Sequence, residues 1–415
     1  MEKLAIIGTG IAGMASAHLL QKKYDITVFE KNDYIGGHTN TISIDEDETQ
    51  VNVDTGFMVF NHVTYPNLTQ LFKELNVSTQ KTDMSFSVQH LPSGLEYCGS
   101  GLNGLFAQRK NIFSVRHINM LAQINRFNKE SLKALEDKKY ENYSLGNYIK
   151  ELKFGDDMLW KYLIPMSSAV WSTPMDRMLD FPAVTLIRFF KNHGFLGLDT
   201  QHQWYTVVNG SKTYRDTIIA SFKNKIEINN SVKKVVRAAE HVEVHTQHGT
   251  TKKFDKVIFA CHGDEAYTLL ENKTVEEERL LSKFHYQKNI AILHTDESIM
   301  PKLKRVWSSW NYRMDEKNKS LHPSTIYWMN SLQKLNTKKN YFVSINDPGN
   351  IKQENIIKTI DYTHPLFDVP AIQAQNELDI LNSHRQIYFC GSYFKYGFHE
   401  DALTSAINLC NIIGK

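Results

Sequence analysis

Leu4-Ala5-Ile6-Ile7-Gly8-Thr9-Gly10-Ile11-Ala12-Gly13 opens the chain, and the reading of this stretch decides the fold. An apolar strand runs into a glycine-spaced turn, a helical run continues to about Lys22, and a second strand, Ile26-Thr27-Val28-Phe29, ends on Glu30. Strand, Gly-x-Gly-x-x-Gly and helix in this order make a site for a dinucleotide pyrophosphate, because a helix N-terminus offers unpaired N–H donors and a favourable dipole. Gly8 permits the tight turn, Gly10 lets the backbone approach the phosphates, and Gly13 lets helix and strand pack closely. Glu30 lies 22 positions after Gly8, where a carboxylate accepts hydrogen bonds from ribose hydroxyls. An acid there suits a free 2′-OH and disfavours a 2′-phosphate.

Working outward, 415 residues exceed one ordinary core and imply two or three domains. A net charge of +3 is too small to argue for a nucleic-acid surface. Cys98, Cys261, Cys390 and Cys410 are widely spaced, which argues against a disulfide framework or a zinc site and fits a reducing compartment. No H-x-x-H or H-E-x-x-H spacing suggests a metal. With no signal peptide ahead of the first strand and no apolar run of membrane-spanning length, a cytoplasmic protein, soluble or peripheral at the inner face of the membrane, is expected.

Further along, Gly36-Gly37 precedes an extended His38–Ile42, an acidic turn at Asp45–Glu48 and a strand Val51–Phe57 containing Gly56. Apolar spacing predicts a helix over Tyr65–Leu75 and a hairpin turning at Pro92-Ser93-Gly94. Residues 101–127 mix apolar side chains with Arg109, Lys110, Arg116 and Arg126. They read as a helical cap with solvated charges, or as an interfacial segment on anionic lipid. Ser144–His193 is helical, broken at Pro165, Pro174 and Pro182, and dense in rings that serve a core or line a substrate pocket. Short strands at Ile226–Ile228, Val232–Val236 and Val242–Thr246 form a three-stranded meander, followed by a buried strand Lys256–Ala260. Beyond it come a charged helix near Glu276–Ser282 and strand-like segments at Ile290–His294, Thr325–Met329 and Tyr341–Ile345. The end of the chain repeats the physics of its start: a strand closing on Gly391, then a helix beginning after Gly397-Phe398-His399-Glu400-Asp401.

These features together resemble the FAD-dependent amine oxidase superfamily, which holds monoamine and polyamine oxidases, phytoene desaturases and protoporphyrinogen oxidase. Gly36–Thr41, Asp54–Phe57, Trp171–Pro174 and Gly397–Asp401 are most similar to bacterial flavoproteins often encoded near cyclopropane-fatty-acid synthase-like methyltransferases. The resemblance implies an α/β fold. A discontinuous Rossmann-type FAD-binding domain with a β-meander would comprise 1–64, 205–264 and 383–415, and a mixed α+β substrate domain 65–204 and 265–382.

Carried over by residue, Gly8, Gly10 and Gly13 would contact the FAD pyrophosphate and Glu30 the adenosine ribose, with Ile11, Ala12 and Lys31 as further cofactor-binding positions. Gly36, Gly37, His38 and Thr39 pass beside the cofactor, with His38 standing where most relatives have arginine. Gly56 and Phe57 follow the flavin edge, and the Val232 backbone holds adenine. Gly391, His399, Glu400 and Ala402 belong to the closing strand and helix that face the ring. Phe398 stands at an aromatic wall of the substrate cage and His399 beside it; these are the candidate catalytic positions. Asp401 replaces the usual glycine. The lysine that relatives hold near flavin N5 has candidates in Lys302, Lys304 and Lys395.

The implied activity is oxidation of a C–H or C–N bond of an apolar, fatty-acyl or lipid substrate by hydride transfer to flavin N5. Alternatives are an amine oxidase, a redox-neutral flavin isomerase, or a non-catalytic flavin- and lipid-binding protein. The expected partner is a small apolar molecule, without nucleic acid; a peripheral membrane contact through 101–127 is the alternative to the solvated-cap reading of that segment.

Overall fold

Lys3–Ile7 is the central strand of a five-stranded sheet in the computed structural model, which describes residues 1–197, 200–317, 320–383 and 386–414. Asp25–Phe29 and then Ile226–Glu227 lie on one side of it, and Lys256–Phe259 and Ile387–Phe389 on the other, all parallel. Alternate residues of a strand face opposite layers. Leu4 and Ile6 pack with the helix Ile11–Leu20 and the closing helix His399–Ile413, whereas Ala5 and Ile7 face the core containing the meander. Covering both faces is what the nearly unbroken apolar run demands. The helix meets its strand so closely that a Cβ on Gly13 would lie 1.9 Å from the Gly8 carbonyl oxygen, which fixes glycine there.

The meander is present with different membership. Val232–Arg237, Val242–Thr246 and Thr251–Phe254 form it, antiparallel throughout, while Ile226–Glu227 joins the parallel sheet. Thr251–Phe254 carries Lys252 and Lys253 on its open edge and so shows too little apolar alternation to be read as a strand.

The second layer is a seven-stranded sheet in the order Ile356–Leu366, His285–His294, Phe342–Ile345, Ser320–Trp328, Trp310–Lys317, Phe86–His90, Leu95–Cys98. Only the pairing of Trp310–Lys317 with Phe86–His90 is parallel among its strands. A helical layer covers it, with Val115–Ala134, Leu145–Glu151, Ile164–Trp171 and Ala183–Asn192 as its main members. Pro174 and Pro182 stand at helix N-caps, while Pro165 lies in the first turn of its helix, directly after a π-helical turn at Leu159–Leu163.

The boundary expected at residue 65 does not separate the packing. The helix Pro66–Glu74 buries Leu68, Leu71 and Phe72 in the same cluster as Leu4, Ile6 and Leu403. Trp204–Val207 likewise pairs with both Phe60–Asn61 and Thr79–Thr82. Phe60, Leu68, Trp204 and Val207 pack in that same cluster, while Thr79–Thr82 also bonds the carbonyls of Leu332 and Gln333 on the second-sheet side.

Candidate active site

A cavity of about 920 Å³ runs between the two sheets, and a chain of contacts orders its walls. Gly37 packs against Gly10, joining the two glycine segments. His38 follows, stacked on Tyr362 at 4.7 Å, and the His38 carbonyl crowds Gly56 so closely that a Cβ there would lie 2.3 Å away. Phe57 then stacks on His399 at 4.0 Å. The next residue, Phe398, lies 4.9 Å from Phe189, which in turn meets Trp171 at 4.7 Å. One end is therefore made of backbone and the other of aromatic rings.

At the backbone end, the helix Ile11–Leu20 begins with Gly10 as N-cap, with no side-chain cap and no acid in its first turn. Its first intrahelical bond is Met14 N–H to the Gly10 carbonyl, so the preceding amides need another acceptor. A Cβ built on Gly10 meets nothing within 4 Å, leaving room at the turn for a phosphate. The Glu30 carboxylate accepts from Thr9 N–H at 3.1 Å and Asn32 N–H at 2.9 Å, which fixes its position on the wall. Lys31 pairs with Glu265 there. A β-bulge between Val232 and Lys234 interrupts the ladder at the Val232 position, which also lines the cavity. Buried lining atoms without a protein partner include His38 Nε2, Asn230 Oδ1 and Trp204 Nε1. A dinucleotide with polar atoms along its length fits this wall: open amides for the pyrophosphate, a carboxylate for ribose and unpaired polar atoms beside it.

Midway, His38, His262 and His364 gather across the two layers. His38 is 5.1 Å from His364 and 6.4 Å from His262 by ring centroids. His262 bonds Thr363 at 3.0 Å and stacks on Tyr286, and His364 bonds Asn289 at 2.7 Å. Burial depresses all three pKa values, that of His364 to about 4, so the cluster is neutral at physiological pH.

The closing helix has a different first turn. Glu400 accepts from Asn67 N–H, Asn67 Nδ2 and Leu68 N–H, each at 2.9 Å, and so caps the Pro66–Glu74 helix. Asp401 accepts from Phe398 N–H at 2.9 Å and Tyr396 N–H at 3.2 Å, closing its own turn. Burial raises both pKa values, Asp401 to about 7. His399 Nε2 is held by the Tyr214 hydroxyl at 2.5 Å, and burial lowers its pKa to about 3. A neutral imidazole stacked on Phe57 and tied to Tyr214 acts as wall and anchor.

Of the residues carried over from the sequence, Gly8, Gly10, Ile11, Ala12, Glu30, Lys31, Gly36, Gly37, His38, Gly56, Phe57, Val232, Gly391, Phe398, His399 and Ala402 line the cavity. Gly13, Thr39 and Glu400 stand behind it. Thr39 bonds the Tyr214 hydroxyl, and the Glu400 side chain caps the Pro66–Glu74 helix. Lys302, Lys304 and Lys395 are not on the wall, whereas Lys288 is. Tyr362 and His364 also line the cavity, from the strand Ile356–Leu366, whose one sequence signal is the period-two spacing of Ile360, Tyr362 and His364. The aromatic end adds Trp171, Phe189, Phe195 and Trp204; of the other rings of the helical region, Tyr148, Phe154, Phe181 and Phe190 are core, and Trp160 and Tyr162 pack against it partly buried. Among the described residues no group of His, Cys, Asp and Glu is placed to hold a metal ion, and no helix is long and apolar enough to cross a membrane.

A family model described as flavin containing amine oxidoreductase matches residues 11–338. A 1-hydroxycarotenoid 3,4-desaturase from Flavobacterium sp. (strain P99-3) is 24% identical, over 86% of this chain and 79% of that one. Among solved structures, a CLA-producing fatty acid isomerase from P. acnes aligns with a TM-score of 0.68 at 14% identity, over 99% of this chain and 98% of that one. Cyclohexylamine oxidase from Brevibacterium oxydans IH-35A aligns with a TM-score of 0.69 at 12% identity, over the whole of both chains. These similarities bear out the α/β fold, with its parallel nucleotide-side sheet and mixed second sheet.

Proposed function

The chain belongs to the flavin containing amine oxidoreductase family, and from that premise we propose that it oxidises a C–H bond of an apolar, acyl-chain-like substrate. Membership makes it a flavin-dependent oxidoreductase and implies FAD. When bound, FAD, held at the open amides that follow Gly10 and beside the Glu30 carboxylate, would supply the two-electron acceptor for a hydride from the substrate carbon; the proton of the neighbouring carbon would pass to water, leaving a C=C bond.

The observation that carries the apolar reading is the composition of the ring end. Trp171, Phe189, Phe195, Trp204 and Phe398 meet there; of the lining acids, Glu30, Asp264 and Glu265 stand with the residues of the glycine-turn end, and Asp361 lies on the strand Ile356–Leu366 of the second sheet. Among the described lining residues, no acid belongs to the segments that carry those rings. Phe398 lacks a hydroxyl and is a weaker amine partner than tyrosine. Apolar walls instead favour a ligand that gains from leaving water, at about 0.8 kcal/mol per buried methylene. Phe57, His399 and Phe398 form the continuous surface along which such a chain would be oriented.

Anaerobic mixing of the flavin-loaded protein with long-chain acyl compounds, carotenoid-like polyenes and primary amines tests this. Bleaching of the flavin band by an acyl or polyene ligand, and not by amines, is the expected result. Bleaching by amines alone overturns the substrate class. Turnover only after chemical pre-reduction replaces net oxidation with isomerisation.

A further inference from the structure

We infer that the face built by residues 101–118 docks on an anionic lipid surface, with Phe113 and Val115 entering the acyl boundary and Arg109 and Lys110 meeting headgroup phosphates. Phe113 is 87% exposed, the most of any large apolar side chain among the described residues. Val115 at 82% and Leu102 at 74% accompany it, with Ile112 and Ile118 about half exposed. Val115 and Ile118, three apart on one helix, share a face.

This exposure is held in place by buried anchors. Ser114 caps the Val115–Ala134 helix by accepting from His117 N–H at 3.2 Å, and His117 Nε2 donates to the Leu105 carbonyl at 3.0 Å. His117, Asn111, Ala107 and Met120 are all buried beneath the face. The apolar tips therefore project from an ordered platform, where leaving them in water has a standing cost.

Charge identifies the occupant. From Gly101 to Lys129 there is no Asp or Glu, while Arg109, Lys110, Arg116, Arg126 and Lys129 are cationic. Arg116 is neutralised by Asp157, and Arg126 bonds the Leu152 carbonyl. Among the described residues Arg109 bonds the neutral Phe106 carbonyl and Asn103 side chain, which do not compensate its charge. Apolar tips between uncompensated cations match the boundary between acyl chains and anionic headgroups. The face rests on the edge strand Leu95–Cys98 of the second sheet, where Ala107 packs with Cys98 and Val306 and His117 meets Tyr97. The inference stands apart from the substrate reading, because exposure and charge at this face are the same whatever is oxidised.

The test is flotation of the full-length, flavin-loaded protein with vesicles of phosphatidylcholine alone or with phosphatidylglycerol added, no substrate being present. Binding to the anionic vesicles, weakened by salt, is expected. Phe113→Ser with Val115→Ser, and separately Arg109→Glu with Lys110→Glu, are each expected to weaken it by about tenfold or more. All four side chains project from the surface, so the thermal midpoint and flavin content stay unchanged and serve as controls. Phe113→Trp is expected to shift its fluorescence to the blue on adding anionic vesicles. No vesicle binding, or binding indifferent to both double variants, overturns the proposal. So does concentration-dependent self-association that Phe113→Ser abolishes in the absence of vesicle binding, since the face would then join two copies of the chain.

Discussion

The helices Ile11–Leu20 and His399–Ile413 both follow a strand ending near glycine, and both begin at the cavity, yet their N-termini are built oppositely. The first has no cap, no acid in its opening turn and empty space at Gly10. The second carries Glu400 and Asp401 in its opening turn, both buried and both occupied with protein amides. An open terminus is a site for an external anion. A terminus whose opening turn carries two carboxyl groups already engaged with protein amides is filled from within, and shapes the wall through Phe398, His399 and Ala402. The strand-glycine-helix pattern alone did not distinguish the two; the acids in the first turn do.

The comparison breaks most visibly if the first terminus is made to look like the second. Gly10 has φ −58° and ψ 174°, which any residue adopts, and its Cβ position is free. Gly10→Asp is therefore expected to cap the helix and raise the stability of the flavin-free protein by roughly a few tenths of a kcal/mol. It should weaken FAD binding by roughly a hundredfold or more through repulsion of the pyrophosphate. Flavin content after purification and thermal melts of the apoprotein measure both. Retained flavin would mean that the phosphates do not lie there.

At the second terminus, pH is the probe. Asp401 is raised from 3.8 to about 7 mainly by burial, so the folded protein holds its proton more tightly than the unfolded chain. Its contribution to stability is full below about pH 4 and is lost as pH rises through 7. Urea unfolding across that window should show the wild type losing up to about 4 kcal/mol relative to Asp401→Asn. A parallel pH dependence in the two proteins would remove Asp401 as the cause. Glu400→Ala has the smallest expected effect, about 2 kcal/mol from amides of Asn67 and Leu68 left unpaired, with flavin content unchanged. A loss of flavin in that variant would restore Glu400 as a cofactor contact.

What the sequence determined by itself is the part made of local backbone. A Gly-x-Gly-x-x-Gly turn, its flanking strands and the acid 22 residues on are set by steric and dipolar rules that act within one short segment, and the turn and Glu30 line the cavity as read. Phe57 and Phe398 were found because each follows a glycine in a recognisable motif. Only the tertiary structure decided the rest. Tyr362, His364 and Lys288 reach the cavity from the first two strands of the second sheet, whose pairing brings them opposite His38. Glu400 turns to the Pro66–Glu74 helix because packing sets that helix N-terminus within hydrogen-bond reach, more than three hundred residues away in sequence. Short-range rules act on φ, ψ and spacing, which are written in order along the chain. The direction of a side chain between two layers depends on which layers meet, and that is fixed only when the cores close.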